Sequence, residues 1–319
     1  MVARILTIAM NTYREAVRGR VLHALLALAF ATTCYSLIVG TLSLNQETRV
    51  VADLGAASIS LYAVLVAIVL GATSLHREIE YKTIFPILAR PLRRHEYLLG
   101  KYLGTVATLA VFVALDGGVV MALLGFEAGA GSPGVEAGQS PARLAGVVAP
   151  SVAILVVALI RAKRTRVFVL MPWSVAFLAL MTWLAEPAGA ERQLVIASGA
   201  LTVCEVSIVV AVATLFASFS SPALTAVFTF GVFVVGRSAD TLSNLPVHQF
   251  GQAVRDIGKA MARVFPNLQA YVPPRPLLLG QVAGVSLPGF VATAAMHALF
   301  YSSALLVVAA LAFRRRDFQ

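Results

Sequence analysis

Long apolar segments separated by short polar connections make up most of this 319-residue chain. A helix needs about 18–20 apolar residues to cross the hydrocarbon core of a bilayer. Segments of that length or longer occupy residues 21–41, 54–75, 98–126, 167–184, 194–219 and 290–313. Two further segments are at or below the minimum: 144–160 is either a span or re-entrant, and 223–236 is either a span or a half-helix. The pattern predicts an all-α integral membrane protein, a single domain with about eight membrane segments.

Two segments outside the spans have the periodicity of amphipathic helices. Residues 1–20 predict an interfacial helix in the inner headgroup layer, with one polar face formed by Arg4, Thr7, Asn11, Arg14, Glu15 and Arg18. Within the outer region 237–288, apolar residues recur at three- and four-residue spacing from Val247 to Val264. This second helix is predicted to rest on the bilayer surface or to cap a pathway.

The composition excludes an ordinary soluble protein. Hydrophobic residues make up 59% of the chain and charged residues 13%, with a mean hydropathy of +0.85. Soluble domains contain about 45–50% apolar and about 25% charged residues. Cys34 and Cys204 both fall in apolar spans, so they indicate neither a disulfide framework nor a zinc cluster.

The net charge of +10 is segregated between the two sides of the predicted membrane. Seventeen of the 25 Lys and Arg residues fall in four segments, 1–20, 76–101, 161–166 and 314–316. Because such residues concentrate on the cytoplasmic side, both termini are predicted to be cytoplasmic. The orientation accounts for the charge without a nucleic-acid partner.

The longest charged run between two spans covers residues 76–101. Glu78 and Lys82 stand four residues apart, as on one face of a helix, and Pro86 and Pro91 interrupt any helix that follows. A loop with this much internal order is more consistent with a docking surface than with a tether.

This run resembles the first cytoplasmic loop of ABC-2 type transporter permeases, especially the NosY-like group. The matching residues are Arg77-Glu78-Ile79-Glu80, Thr83, Leu88-Ala89-Arg90-Pro91, Arg94, Glu96-Tyr97 and Leu99-Gly100-Lys101. In that family the loop carries the coupling helix that docks on the ATP-binding subunit. The resemblance therefore assigns ATPase coupling to segment 76–97, with Arg77, Glu78, Glu80, Lys82, Thr83, Arg90, Arg93 and Arg94 as its contact residues.

The resemblance covers about 1–125 and 194–319. It includes a second inner turn, Phe219, Ser220 and Ser221 before Pro222, together with Gly236-Arg237, Phe265-Pro266-Asn267-Leu268 and the basic run 314–316. It lapses over 143–184, a hairpin that departs from the family's six core spans. The implied fold is an ABC-2 (type V exporter-like) transmembrane domain with an inserted helical hairpin.

The resemblance implies a permease subunit of a prokaryotic plasma (inner) membrane transporter, an exporter or an extruder of a lipid-like substrate. The chain lacks a GxxxxGK[ST] loop, since Gly100-Lys101 has neither the upstream glycine nor the following hydroxyl residue. ATP and Mg²⁺ would therefore bind to a separate ATP-binding subunit, present in two copies. The permease is expected to form a homodimer. It is not expected to be an enzyme, because ATP hydrolysis would take place on the partner subunit.

Asp116 and Glu205 are the two carboxylates predicted to lie within spans. Placing a charge there costs ~2.5–3.5 kcal/mol on insertion scales, so such residues usually face a polar cavity or a partner. They either line a substrate path, accept protons, pair with each other, or form a structural hydrogen bond as protonated acids. His297 in the last span is a third candidate. With Cys204 it makes only two metal ligands on different helices, so no metal site is predicted.

Two alternative functions remain open. A stand-alone ion-coupled carrier would use Asp116 and Glu205 as coupling sites, but it leaves the charged order of 76–101 unexplained. An intramembrane hydrolase would need a nucleophile and a base on facing helices. Ser198, Ser207 and His297 are available for those roles, although no motif surrounds them.

Overall fold

A computed structural model describes residues 2–43, 46–80, 94–130, 141–162, 165–282 and 284–314. Within these ranges the regular elements are all helices, and no strand occurs. Six helices are long and apolar enough to cross a membrane. The prediction of an all-α fold is confirmed for the described residues, and the six candidate spans are consistent with a multi-pass membrane protein.

Twelve α-helices can be followed in the described ranges. They are α1 (Val2–Val17), α2 (Arg20–Thr41), α3 (Glu47–Glu80), α4 (Arg94–Ala130), α5 (Pro141–Arg161), α6 (Arg166–Leu184), α7 (Ala190–Ala217), α8 (Pro222–Arg237), α9 (Ala239–Ser243), α10 (Val247–Val264), α11 (Arg275–Leu278) and α12 (Leu287–Arg314). Short 3₁₀ turns occupy Glu186–Ala188 and Gln269–Tyr271. The six spanning candidates lie in α2, α3, α4, α6, α7 and α12, while α5 and α8 contribute the shorter apolar segments.

Most helices begin and end within a few residues of the predicted bounds, but α3 is longer than its predicted span. It begins at Glu47 and continues to Glu80, past the predicted end at residue 75. Residues 76–80 contain good helix formers and no Pro or Gly, so nothing stops the helix where its apolar stretch ends. The first residues of the predicted coupling loop therefore extend α3.

Three helices form the centre of the bundle. The apolar windows of α3, α4 and α7 are 61–72% buried inside the chain, whereas those of α2, α6 and α12 are 22–28% buried. Helix α7 packs against α3, α4 and α12, and α4 also contacts α1 and α6. A helix that is apolar all round is suited to such a central position, because every face is covered. The outer helices keep large apolar faces for lipid.

Glycines let α1 approach α4 closely. A Cβ at Gly100 would lie 2.6 Å from Ile8, and one at Gly104 would lie 2.5 Å from the carbonyl oxygen of Ala9. This small-xxx-small spacing is a common device for close helix packing in membranes. The contact holds α1 against the bundle along one face.

Polar contacts hold the same helix at its C-terminal half. Tyr13 is fully buried, and its hydroxyl donates to the carbonyl oxygen of Val167 at 3.3 Å. Burial raises the pKa of Tyr13 to about 12, so the hydroxyl keeps its proton and remains a donor. The ammonium of Lys101 lies 3.7 Å from the Glu15 carboxylate and donates to the Ser74 carbonyl oxygen at 3.2 Å.

The largest part of the chain outside the candidate spans joins α8 to α12 and contains the amphipathic helix α10. Gly251, with φ 78°, interrupts α10 near its start. Gly258 packs against α9, where an added Cβ would lie 2.6 Å from the Leu242 carbonyl oxygen. On the other side, Ile257 and Val264 are 62% and 72% exposed. The described residues thus leave this part of the apolar face of α10 uncovered.

Replacing Gly104 by Ala should loosen α1, because the new methyl group collides with the backbone of α1. We expect a loss of about 1–3 kcal/mol in the free energy of unfolding, typical of overpacking. The measurement is thermal unfolding of the full chain in detergent, followed by tryptophan fluorescence.

Gly231→Ala is the matched control for this substitution. A Cβ at Gly231 meets no atom within 4 Å, and Ala favours a helix over Gly by up to about 1 kcal/mol. The control should be neutral or stabilising. Equal unfolding temperatures for the two variants would contradict the close approach of α1.

Candidate functional site

A fully buried carboxylate lies near the middle of α7. Glu205 Oε1 accepts a hydrogen bond from Nη1 of Arg237, with which it forms an ion pair. Ser60 Oγ on α3 donates to Glu205 Oε2 at 3.4 Å, and Arg237 Nη2 donates to Ser60 Oγ at 3.3 Å. Three helices thus meet in one closed polar triad formed by Ser60, Glu205 and Arg237.

The length of α8 helps to place Arg237 in this triad. A helix of 16 residues is about 24 Å long, less than the roughly 30 Å of a hydrocarbon core. Its last residue therefore stops short of the far surface if its first lies at the near one. Arg237 also packs on the Phe233 ring, with 5.9 Å from the guanidinium carbon to the ring centroid.

The chain that follows α8 folds back onto its end. The backbone N–H of Leu268 donates to the Gly236 carbonyl oxygen at 3.0 Å, and a Cβ at Gly236 would lie 2.6 Å from the Pro266 carbonyl oxygen. Asn267 Nδ2 donates to Asp240 Oδ1 at 2.9 Å. The glycine before Arg237 is therefore required by this close backbone contact.

A cavity of about 320 Å³ lies beside the triad, between α3, α7, α8 and residues 271–278. Arg237 is 28% exposed and lines this cavity, whereas Glu205 behind it is fully covered. The polar residues of the lining are Asp53, Ser60, Ser198, Thr202, Arg237, Tyr271 and Arg275. The remaining lining is apolar, so the cavity has a mixed character suited to an amphipathic or weakly polar occupant.

A second arginine stands at the other end of the cavity. Arg275 donates to Asp53 Oδ1 and to Glu191 Oε1, and so joins the second turn of α3 to the first turn of α7. Asp53 also lies 3.9 Å from Arg49. Both cavity arginines are therefore compensated by carboxylates, one buried and two at the surface end. In the predicted orientation, the Arg275 end faces the outside.

His297 reaches this region through a tyrosine. Tyr271 Oη lies 2.8 Å from His297 Nδ1 and 3.3 Å from the Ala294 carbonyl oxygen, to which it donates. Burial, reinforced by the nearby Cys204 and Glu205, raises the pKa of Tyr271, so its hydroxyl stays protonated. Tyr271 lines the cavity, and His297 supports it from α12.

Asp116 occupies a separate polar site on α4. It is fully buried; Thr33 Oγ1 donates to its Oδ1 at 3.1 Å and lies 3.4 Å from Ser58 Oγ. Its other oxygen, Oδ2, accepts no hydrogen bond from the residues described. Asp116 and Glu205 therefore do not bind each other, and each contacts a different serine of α3.

The serine candidates do not form a catalytic arrangement with His297 in this structure. Ser198 Oγ donates to the Val195 carbonyl oxygen at 3.0 Å, and Ser207 Oγ donates to the Cys204 carbonyl oxygen at 2.6 Å. Both hydroxyls are thus used within α7, as is common for serines in membrane helices. Among the described residues, no group of three or more His, Cys, Asp or Glu side chains is arranged to hold a metal ion.

The predicted ATPase-coupling residues lie largely beyond what the structure describes. Lys82, Thr83, Arg90 and Arg93 fall outside the described residues, and for Arg77, Glu78, Glu80 and Arg94 the description is limited to the backbone. Arg77, Glu78 and Glu80 belong to the end of α3, and Arg94 begins α4.

The second inner turn is described in full. Phe219 is 55% exposed, Ser221 is exposed, and Ser220 Oγ lies 2.7 Å from Thr225 Oγ1. Ser220 therefore fixes the turn, while Phe219 and Ser221 present their side chains outward, where a partner could contact them.

Sequence reasoning did not assign a role to Arg237, Arg275 or Tyr271. Arg237 follows directly after a short apolar helix, a position usually attributed to the membrane interface. Arg275 lies among three prolines, in a segment interpreted as a connector. The sequence contained one indication of the Arg237 contact. Glu205 on α7 is an acid within an apolar span and requires a partner, which the end of a short neighbouring helix could supply.

A scan of protein-family models and a search of curated protein sequences give no match to this chain.

Arg237→Met should leave the Glu205 carboxylate buried without its cation. Breaking a buried ion pair from one side costs about 3–5 kcal/mol, and we expect roughly 3 kcal/mol here because Arg237 is partly exposed. Thermal unfolding of the full chain in detergent measures the loss.

The double variant Arg237→Met/Glu205→Gln tests whether the charge is the cause. Removing both charges should restore most of the lost stability, whereas Glu205→Gln alone should cost less than Arg237→Met. Purely additive losses in the double variant would contradict a coupled pair.

Proposed function

We propose that this chain is the membrane-spanning permease subunit of a transporter, driven by a separate ATP-binding subunit. The observation that carries the proposal is the mixed cavity between α3 and α7, with Arg237, paired to the covered Glu205, at its deep end and Arg275 at its other end. A polar cavity reaching a buried ion pair inside an apolar helix bundle is typical of substrate and ion pathways.

Arg237 and Arg275 are placed where they could close a substrate path at two points, one at each end of the cavity. Arg237 ties α8 to α3 and α7 at depth, and Arg275 ties α11 to the N-terminal parts of the same two helices. Movement of α3 against α7 would have to break or exchange these contacts. In this proposal the Arg237 triad closes the path from the cytoplasmic side, and the Arg275 contacts close it from outside.

Movement of this kind needs an energy source that distinguishes the two arrangements. We assign that role to an ATPase subunit docked on residues 76–101 and on the turn at Phe219–Ser221. Both docking elements are joined to the cavity helices, since α3 runs directly into the first and α7 ends at the second. Export, or extraction of a lipid-like substrate, and a homodimeric permease follow from the resemblance.

An ion-coupled carrier is the second candidate, and one observation favours it. Asp116 is a buried carboxylate with an unbonded oxygen and with hydroxyls rather than a cation beside it. Such a residue could bind and release a proton. Transport that needs a proton gradient, proceeds without ATP and stops in Asp116→Asn would establish the carrier instead.

If the cavity is part of a pathway open to the outside, Ser198 should be reachable by a water-soluble reagent. In a Cys34→Ala/Cys204→Ala background, Ser198→Cys is expected to react with an externally added, membrane-impermeant methanethiosulfonate. Ser174→Cys, fully buried on α6, serves as the control and should not react. Equal reactivity, or no reaction at either position, would contradict the pathway.

The ATPase proposal predicts a charge-dependent complex. The full chain, co-expressed with a P-loop ATPase encoded beside it, should co-purify with that subunit and stimulate its ATP hydrolysis. Glu80→Arg and Arg90→Glu should each weaken both effects, because surface pairs contribute up to about 1 kcal/mol and a reversal turns attraction into repulsion.

The matched controls for these reversals lie on the opposite predicted side of the membrane. Glu136→Arg and Arg143→Glu should leave the complex intact. Unchanged association after both Glu80→Arg and Arg90→Glu would argue against docking at this loop.

A further inference from the structure

A second cavity of about 460 Å³ lies far from the triad, where α1 ends and α2 begins. Its lining comes from α1, α2, α3 and α4. Two of these residues mark the ends of candidate spans, Arg20 for α2 and Ser74 for α3. The cavity is therefore at one boundary of the apolar bundle, at the depth where phospholipid headgroups would lie.

The cavity combines two uncompensated arginines with an apolar wall. Arg18 and Arg20 line it and are exposed, and neither forms an ion pair or side-chain hydrogen bond with a described residue. The rest of the lining contains an aliphatic wall, with Leu22, Val69 and Leu70, beside the hydroxyl residues Thr12, Thr73, Ser74 and Thr105. The one acid of the lining, Glu15, is paired with Lys101 at 3.7 Å.

The start of α2 adds a weaker attraction for anions. The N-cap residue of α2 is Gly19, which has no side chain to accept a hydrogen bond from the first turn of the helix. The N–H groups of that turn, which also borders the cavity, are therefore not capped by a side chain, and the helix dipole is positive there.

We propose that this cavity binds an anionic glycerophospholipid, with its phosphate between Arg18 and Arg20 and an acyl chain along Leu22, Val69 and Leu70. Arginine pairs with phosphate through two parallel hydrogen bonds, and basic residues at the headgroup layer attract anionic lipids. A free phosphate would leave the aliphatic wall without a partner, so the lining favours the lipid. This inference does not depend on the transport proposal.

The test titrates the purified full chain with dioleoyl-phosphatidylglycerol and, separately, dioleoyl-phosphatidylcholine, and counts bound lipids by native mass spectrometry. The wild-type chain should retain phosphatidylglycerol preferentially. Arg18→Gln/Arg20→Gln should weaken that binding roughly 30-fold, since each arginine near a headgroup contributes about a factor of five. Arg18→Lys/Arg20→Lys should retain part of the preference, because the charge remains.

The matched control is Arg14→Gln/Arg161→Gln, which removes two exposed arginines from the same predicted side but outside the cavity. It should bind phosphatidylglycerol like the wild type. Equal binding of the two lipids, or equal losses in the two Gln double variants, would overturn the proposal. Thermal stabilisation by inorganic phosphate that requires Arg18 and Arg20, without retention of phosphatidylglycerol, would also overturn it in favour of a free-anion site.

Discussion

The ion pair between Glu205 and Arg237 is the constraint on which the arrangement of the central helices depends. A carboxylate in the middle of an apolar helix is acceptable when a cation and a hydroxyl reach it. The end of α8 supplies the cation, and Ser60 of α3 supplies the hydroxyl, which bonds both members of the pair. The polar triad also leaves the arginine partly exposed to the cavity, while the carboxylate behind it is covered.

Close packing provides the rigid surroundings that such a cluster needs. The central helices α3, α4 and α7 are covered on most sides, and small residues allow the tightest approaches. A Cβ at Gly71 would lie 2.5 Å from Ala213 where α3 meets α7, and one at Gly118 would lie 2.5 Å from Phe177 where α4 meets α6. In a bundle packed this closely, one helix cannot shift without displacing its neighbours. A displacement of the end of α3 would therefore also move Ser60.

Local sequence information was sufficient for the helices but not for the site. Apolar length placed the membrane segments within a few residues, because spanning the bilayer is a requirement on each segment alone. It identified Glu205 and Asp116 as buried acids for the same reason. The partners of these acids depend on how helices distant in sequence are rotated against each other, so neither the Arg237 pairing nor the separation of Asp116 from Glu205 could be read from spacing. Arg275 was missed because a proline-rich connector gives no indication of what it contacts.

The segment between Arg237 and Arg275 is attached at both ends to the same two helices, α3 and α7. Arg237 is bound to Glu205 at one end, and Arg275 is bound to Asp53 and Glu191 at the other; between them, the described residues leave Ile257 and Val264 of α10 exposed. A ligand that binds the exposed face of α10, such as an antibody fragment or the surface of the bilayer itself, would act on the Arg237 and Arg275 contacts together. The width of the cavity would then respond to contacts made outside it, without any ligand entering the cavity itself.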